Sequence, residues 1–308
     1  MAGSELRVEM MMMPPSAVGD KHPMDGGEGR AIDMHGMDQI KHHIELEKDN
    51  DGKLLSSIQG EIMAKSLLRK LARFSGLIFL ISVSGCNAMS KYSSDKFFHG
   101  TQLSLAQAIA SGNIAEVKKS TSGVSLNKPG EQDMTLLYFA LQQAQERKNQ
   151  QLEILSLLVK AGADPLQDVP DIGSVAEVVA TSPHPEFMKA LIDGGMNVNV
   201  KVQGQPLLHD AASDDTLKTL ALMVNRGADV NAADSLGKST VMAALDGMQL
   251  DTVEWLLNHG ANPNAIEKNT GWSFMRQLDD AIKFNNGQKG ATQEKLKEIL
   301  QLAKQKGG

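Results

Sequence analysis

The chain has 308 residues, so it can bury a substantial core without metal ions as supports, and its single cysteine excludes an internal disulfide bond. Its formal net charge of −6 argues against a nucleic-acid-binding face, which needs clustered lysine and arginine side chains. Aromatic residues make up 4% of the chain and apolar residues 41%, which favours a core of aliphatic side chains between helices. The composition therefore predicts an all-α or helical-repeat protein.

Residues 1–62 combine a run of methionines and prolines with a glycine-rich acidic stretch and little hydrophobic periodicity. We expect this extension to be disordered, or to lie upstream of a true start at Met63. Its segment ELEKDNDGKLL imitates the start of a calcium-binding loop, but Ile58 stands where the loop needs a bidentate glutamate. Three nearby histidines indicate a solvated helix face: His35, His42 and His43. We therefore predict no metal site.

Residues 63–85 have the pattern of a secretory signal peptide. Four basic residues and no acidic residue precede an apolar run from Phe74 to Val83. A membrane-spanning helix needs roughly 20 apolar residues, so this run is too short to remain in the membrane. A buried core helix is the alternative, but such helices seldom combine four cations with a segment of small residues after the apolar run.

The tetrapeptide VSGC at residues 83–86 resembles the lipobox of bacterial lipoproteins. In such proteins the signal is cut before the cysteine, which carries lipid, and several acyl chains give stable anchoring. The resemblance implies that Cys86 is the lipidation site and that residues 86–101 form a lipidated tether. Asn87, the next residue, implies delivery to the outer membrane, with the protein on its periplasmic face.

Residues 102–290 contain an internal repeat. The phrases KAGADP, DGGMNVN, NRGADVN and NHGANPN place glycines 33, 32 and 33 residues apart. A weaker copy lies 39 residues upstream of the first phrase, which indicates an insertion of about six residues. A glycine there can adopt the positive φ that ends a helix. The glycines are Gly123, Gly162, Gly195, Gly227 and Gly260.

Two helical stretches precede each phrase, and the segment from Pro206 to Asn231 resembles the ankyrin repeat almost throughout. The resemblance implies an all-α ankyrin-repeat solenoid of about five repeats, in which each repeat folds by packing on its neighbours. Residues 291–308 carry an apolar stripe and are predicted to be a C-terminal capping helix. Three asparagines after the glycines are expected to bond the local backbone at a turn: Asn199, Asn231 and Asn264.

No catalytic or phosphate-binding motif follows Cys86 in the sequence, so we predict a non-enzymatic protein without a cofactor. His209 occupies the ankyrin motif's own histidine position, where we expect a hydrogen bond to the turn between repeats. Ankyrin repeats present first helices and loop tips to partner proteins. The candidate partner-binding residues are Phe139, Gln143, Asp210 and Asp214 on first helices, and Asp171, Lys201, Gln203, Lys238 and Lys268 near loop tips.

A lipid-anchored ankyrin stack is similar to the immunity lipoproteins found beside type VI secretion phospholipase effectors. The resemblance implies a periplasmic inhibitor that binds a secreted phospholipase or lipase toxin. Two alternatives stay open. One is a periplasmic ankyrin scaffold or stress-protection protein. The other is an enzyme or ligand-binding protein that uses the insertion Gln142–Gln151, whose polar composition instead favours a lengthened helical hairpin.

Overall fold

The computed structural model describes residues 93–145, 148–285 and 290–308. The extension 1–62, the signal segment 63–85 and Cys86 lie outside the described residues, so these predictions stay predictions. None of the described helices is both long enough and apolar enough to cross a membrane.

The described residues contain twelve α-helices that follow one another as six pairs. The pairs are α1 (Gly100–Ala110) with α2 (Ile114–Ser120), α3 (Leu136–Gln143) with α4 (Asn149–Lys160), α5 (Val175–Ala180) with α6 (Pro185–Asp193), α7 (Leu207–Asp210) with α8 (Leu217–Asn225), α9 (Thr240–Asp246) with α10 (Leu250–Asn258), and α11 (Phe274–Phe284) with α12 (Ala291–Gln305). Short 3₁₀ turns lie at Ser94–Lys96, Glu131–Asp133 and Asp214–Thr216.

The pairs stack in two layers. Each first helix packs on the first helix of the next pair, from α1 through α3, α5, α7 and α9 to α11. The second helices α2, α4, α6 and α8 pack in sequence, and α10 packs on α12. One alanine from each of the first five first-helix segments is buried, as the need for close helix approach predicts: Ala108, Ala140, Ala180, Ala211 and Ala244.

Hydroxyl side chains begin several of the first helices. The Thr135 hydroxyl accepts a hydrogen bond from the backbone N–H of Tyr138 at 3.1 Å, and the Ser273 hydroxyl accepts from that of Arg276 at 3.1 Å. Ser174 and Glu177 form a reciprocal capping box before α5. These caps satisfy N–H groups that have no partner within the helix, so these three loops end where the sequence supplies a serine or threonine.

The predicted capping helix is α12, and it packs on both α10 and α11. Its apolar stripe is buried through Leu296, Ile299 and Ala303. The helix ends two residues before Gly307, whose φ is 100°. The second helices α4, α6, α8 and α10 end at the same distance from glycines with φ between 93° and 108°. The last pair therefore closes the stack with the same geometry as the repeats before it.

The predicted tether is too long at its C-terminal end. Phe97 and Phe98 are 5% and 0% exposed, and the Phe98 ring packs edge-on against Phe139 at 5.4 Å between centroids. The Phe97 carbonyl accepts a hydrogen bond from the backbone N–H of Glu131 at 2.8 Å. The boundary at residue 101 is wrong because burying two aromatic rings fixes this segment on the first repeat.

Replacing Phe98 with alanine tests this docking. The substitution removes a fully buried ring, so we expect Phe98→Ala to lower the free energy of unfolding by about 3–5 kcal/mol. Urea denaturation followed by circular dichroism measures the change. The control is Gln107→Ala on the exposed side of α1, which should change stability by less than about 0.5 kcal/mol. Equal stabilities of the two variants would show that the phenylalanine is not docked.

An ion-pair cluster joins the third pair to the fourth. Asp193, the last residue of α6, accepts hydrogen bonds from Lys189 and from the Arg226 guanidinium, the latter at 2.8 Å. The hydrogen bond from Lys189 is the main cause of a lowered Asp193 pKa; burial opposes it, and the hydrogen bond from Arg226 lowers the pKa further. The cluster therefore stabilises the folded state only while Asp193 is ionised.

A carboxyl group whose folded pKa is lower than its unfolded pKa adds stability above the unfolded value, near 3.9, and loses it as the pH falls through the folded value. We expect Asp193→Asn to reduce the loss of stability on acidification below about pH 4. Urea unfolding at a series of pH values from about 5 to 2 measures this slope. The variant Asp215→Asn, at an exposed position outside this cluster, should keep the wild-type slope. An unchanged slope in Asp193→Asn would contradict the assignment.

Candidate functional site

Four loops between helix pairs turn back on themselves as short antiparallel hairpins. We call them finger A (169–173), finger B (201–206), finger C (233–239) and finger D (266–273). Finger B is a two-stranded hairpin, in which Lys201 pairs with Pro206 and Val202 with Gln205. The other three fingers are each closed by one bridge between their end residues.

Fingers B, C and D are bonded to one another side by side. The Lys201 ammonium group donates a hydrogen bond to the carbonyl of Ala233 at 2.8 Å, which joins B to C. The backbone N–H of Lys268 donates to the carbonyl of Leu236 at 2.9 Å, which joins C to D. Gly237 has φ 89°, and a Cβ atom there would lie 2.8 Å from the Lys268 nitrogen. Close approach of C and D therefore requires a glycine at this position.

Asparagine side chains bond each loop to the backbone of the next repeat, in an arrangement that we call the asparagine ladder. Each side-chain amide donates to a carbonyl at 2.8 to 3.0 Å: Asn127 to Gly162, Asn199 to Gly227, Asn231 to Gly260 and Asn264 to Gly307. The first three also accept from backbone N–H groups at 2.7 to 2.8 Å: those of Asp164, Asp229 and Asn262. The expected local bonds are wrong, because these side chains reach the next repeat.

The ladder is interrupted at one repeat. Leu166 occupies the asparagine position in the loop after α4, four residues beyond Gly162, and it packs against the core. From Asn199 to Gly307 the ladder runs through three successive repeats. Fingers B, C and D each begin two residues after one of these asparagines. The continuous part of the ladder therefore positions the same three fingers that are bonded side by side.

Asp214 has a structural role between repeats. It lies in the 3₁₀ turn before α8, outside the first helix where the sequence placed it. Its carboxylate accepts from the backbone N–H of Thr252 at 2.8 Å and so caps α10 of the following pair. The Gln249 side-chain oxygen accepts from the Asp214 backbone N–H at 2.9 Å in return. This carboxylate is occupied by a helix N-terminus.

The other predicted partner-binding residues differ in their exposure. Phe139 is fully buried against Phe98, so the prediction that it lies on the surface is wrong; its ring closes the core of the first two pairs. Gln143 and Asp210 are half-buried on first helices, and Asp210 accepts from the Gln205 amide at 2.9 Å. The remaining exposed candidates lie on finger tips or edges: Asp171, Lys201, Gln203 and Lys268.

Two further residues act within the finger surface. The expected bond of His209 to the turn between repeats is present, because its Nε2 lies 3.2 Å from the carbonyl oxygen of Ala232. Lys238 forms an ion pair with Asp246 at 2.6 Å. Burial lowers the pKa of Lys238, but the carboxylates of Asp246, Glu267 and Asp234 outweigh it, so the net pKa is raised. Lys238 is thus charged and already paired.

A groove of about 770 Å³ lies along fingers B, C and D. Among its lining residues are Lys201, Lys268, Asp229, Asp234 and Ile266. Ile266 is 57% exposed, which is unusual for a large apolar side chain in the described residues. The sequence did not single out Ile266, because an isoleucine in a repeat protein is expected in the core. Across the described ranges, no group of three metal-ligating side chains is arranged to hold an ion.

Comparison with known proteins agrees with this architecture. A family model described as ankyrin repeats (3 copies) matches residues 175–273. The B-cell lymphoma 3 protein homolog of Mus musculus is 31% identical over 119 residues, which cover 37% of this chain and 27% of that protein. The chain thus spans about a quarter of that relative. Protein PhlB of Serratia liquefaciens is 27% identical over 175 residues, which cover 54% of this chain and 74% of that protein.

The solved ankyrin repeat domain of Bcl-3 superposes with a TM-score of 0.50 at 23% identity, covering 67% of this chain and 86% of that domain. With the helix pairs and the matched repeats, this likeness shows that the described part of the chain is an ankyrin-repeat stack, as the sequence predicts. Ankyrin stacks are typically non-enzymatic modules for protein–protein interaction, and none of these comparisons indicates a catalytic family.

Replacing one asparagine of the ladder tests the contribution of its hydrogen bonds to stability. Asn231→Ala loses the hydrogen bonds to Gly260 and Asn262, each worth about 0.5–1.5 kcal/mol, so we expect a decrease of about 1–3 kcal/mol in the free energy of unfolding. Urea denaturation measures it. Asn269→Ala, at an exposed position in finger D, is the matched control and should leave stability within about 0.5 kcal/mol. Similar effects of the two substitutions would contradict the ladder.

Proposed function

We propose that this protein is a non-enzymatic module that binds another protein along fingers B, C and D. The observation that carries the proposal is the groove along three fingers, which are held in register by the ladder and expose Ile266 within it. Because the fingers are already bonded to one another, little conformational entropy is lost when a partner binds. A surface of this kind favours recognition over chemistry.

We further propose that the module works from a membrane, held by lipid on Cys86 at the periplasmic face of the outer membrane. The support is the VSGC segment behind a basic and apolar run, together with an apolar length too short to span a bilayer. The folded stack begins with the docked Phe97 and Phe98, about ten residues after Cys86. A lipid at that cysteine keeps the stack close to the membrane surface.

The partner that fits this address is a secreted phospholipase or lipase toxin, and the protein is its immunity protein. Such a toxin works at a membrane surface, so an inhibitor anchored in the same surface meets it at a raised effective concentration. A tight complex covers the active site of the lipase or the face with which it docks on lipid. The support for this partner class is the predicted lipid anchor together with the ankyrin-repeat architecture.

Affinity purification from membranes of the native host tests the proposal. We expect the full chain with a C-terminal tag to carry a lipid-modified N-terminus at Cys86 and to recover one hydrolase in stoichiometric amount, as read by mass spectrometry of bait and partner. The recovered hydrolase should lose activity on phospholipid vesicles when the purified protein is added. Recovery of the protein from the soluble fraction with an unprocessed N-terminus, and without a hydrolase, would contradict the proposal. A stoichiometric housekeeping protein would instead support a periplasmic scaffold.

Substitution of Cys86 tests membrane localisation separately from partner binding. We expect Cys86→Ser to move the protein from the membrane pellet to the soluble fraction, because the acyl chains are the anchor. Ser90→Ala, four residues downstream, is the control and should stay in the pellet. Immunoblots of the two fractions give the distribution. Membrane recovery of Cys86→Ser equal to that of the control would exclude Cys86 as the anchor.

A further inference from the structure

We infer that the groove along fingers B, C and D binds an extended acidic segment of the partner, with one carboxylate at Lys201, one at Lys268 and an apolar side chain on Ile266. This inference rests on the proposed protein-binding function and specifies the chemistry of the partner. All three residues line the same groove. Lys201 lies in finger B, while Ile266 and Lys268 lie in finger D.

The charges of the groove are paired unequally. Its carboxylates are occupied by backbone N–H groups: Asp229 accepts from Asn231 at 2.9 Å, and Asp234 accepts from Leu236 and Lys238 at 2.9 Å each. The Lys201 ammonium group bonds a neutral carbonyl. Within the described ranges, neither Lys201 nor Lys268 belongs to an ion pair, whereas Lys238 is paired with Asp246. The groove thus offers two cations with which carboxylates of a partner can form ion pairs.

An apolar contact lies beside these cations. Ile266 is 57% exposed and stands within a concave surface next to Ala265. An apolar side chain packed there would remove surface from water on both molecules, which is the main favourable term in association. Single exposed apolar residues are common on protein surfaces. Because Ile266 lies in the same groove as both lysines, it can contact an apolar side chain of the segment that they bind.

The spacing of the fingers sets the form of the ligand. Fingers B and D both bond to finger C, the Lys201 ammonium group at the Ala233 carbonyl and the Lys268 backbone N–H at the Leu236 carbonyl. These two carbonyls lie within one short finger, at most about 10 Å apart along an extended chain, so the Lys201 ammonium group is within about 16 Å of the Lys268 backbone nitrogen. An extended chain rises about 3.3 Å per residue, so its two carboxylates should be about four residues apart. Asp229 and Asp234 also line the groove, and their negative charges repel a dense polyanion such as nucleic acid.

A synthetic peptide tests this recognition directly on the full chain. The probe is a fluorescein-labelled twelve-residue peptide with two aspartates four residues apart and a leucine midway between them. Its control has asparagines in place of the aspartates. In fluorescence anisotropy titrations, we expect the aspartate peptide to bind more tightly than the control and to weaken as salt is raised, because exposed charge pairs are screened.

Matched charge variants locate the binding. The double variant Lys201→Gln with Lys268→Gln should weaken the aspartate peptide roughly five- to tenfold, as expected for losing two exposed ion pairs. The double variant Lys160→Gln with Lys297→Gln makes the same change in net charge on exposed positions outside the groove, and should bind as the wild type does. Ile266→Asn should weaken both peptides, because it removes the apolar contact that they share.

Other outcomes overturn the inference. Equal affinity for the aspartate and asparagine peptides excludes recognition of carboxylates. Equal losses of affinity in the two double variants would show that the protein's net charge, and not the groove, decides binding. A concentration-dependent dimer that the groove substitutions abolish would assign the groove to a second copy of this chain. If the hydrolase co-purifies equally well with the groove variant, the groove is not its site although the protein-binding function stands. If no hydrolase is recovered but the peptide binds as expected, the proposed toxin partner alone fails.

Discussion

The surface of this protein depends on the hydrogen bonds that asparagine side chains make across repeat boundaries. Hydrophobic packing between helices fixes the distance between repeats, but it does not specify where the loops lie. The ladder does so, because each amide joins its loop to the carbonyl of the glycine that follows the next repeat's second helix. The acceptor is a backbone carbonyl, and the donor is the amide of a short asparagine side chain. Each bond therefore holds the main chains of two neighbouring repeats in alignment.

This constraint has consequences at the fingers. The three fingers that follow the continuous part of the ladder are also the three that bond one another directly and line the groove. Finger A follows Leu166 instead of an asparagine. Backbone alignment and groove formation therefore occur in the same part of the stack. The asparagine side chains used for alignment are satisfied within the protein, whereas Lys201, Lys268 and Ile266 line the groove.

Several features of this architecture follow from the sequence because they recur with the repeat. Glycines 32 or 33 residues apart mark the ends of α4, α6, α8 and α10, and alanines mark the close approach of helices. The bond of His209 to the adjacent turn also follows from its place in the motif. The glycines and alanines need only local conformation or side-chain size, which one sequence displays directly.

Other features depend on which repeat lies beside which, and a single sequence does not display that. Phe139 occupies a position that the motif assigns to the surface, yet the docked Phe97 and Phe98 cover it. Asp214 serves as a cap for a helix of the following pair, 38 residues away. Ile266 is apolar and still exposed, and it lies in a finger instead of on a packed helix. Long-range contacts therefore decided the site residues that were misassigned or missed.

Hydrogen exchange with and without the bound partner tests the central claim most directly. The full chain is compared alone and in complex with the hydrolase recovered from host membranes, with amide exchange read by mass spectrometry. The account predicts slower exchange on binding in residues 199–206, 231–239 and 262–268, with little change on the second helices α8 and α10. Protection confined to the second helices, with the three fingers unchanged, would contradict the finger surface as the site of recognition.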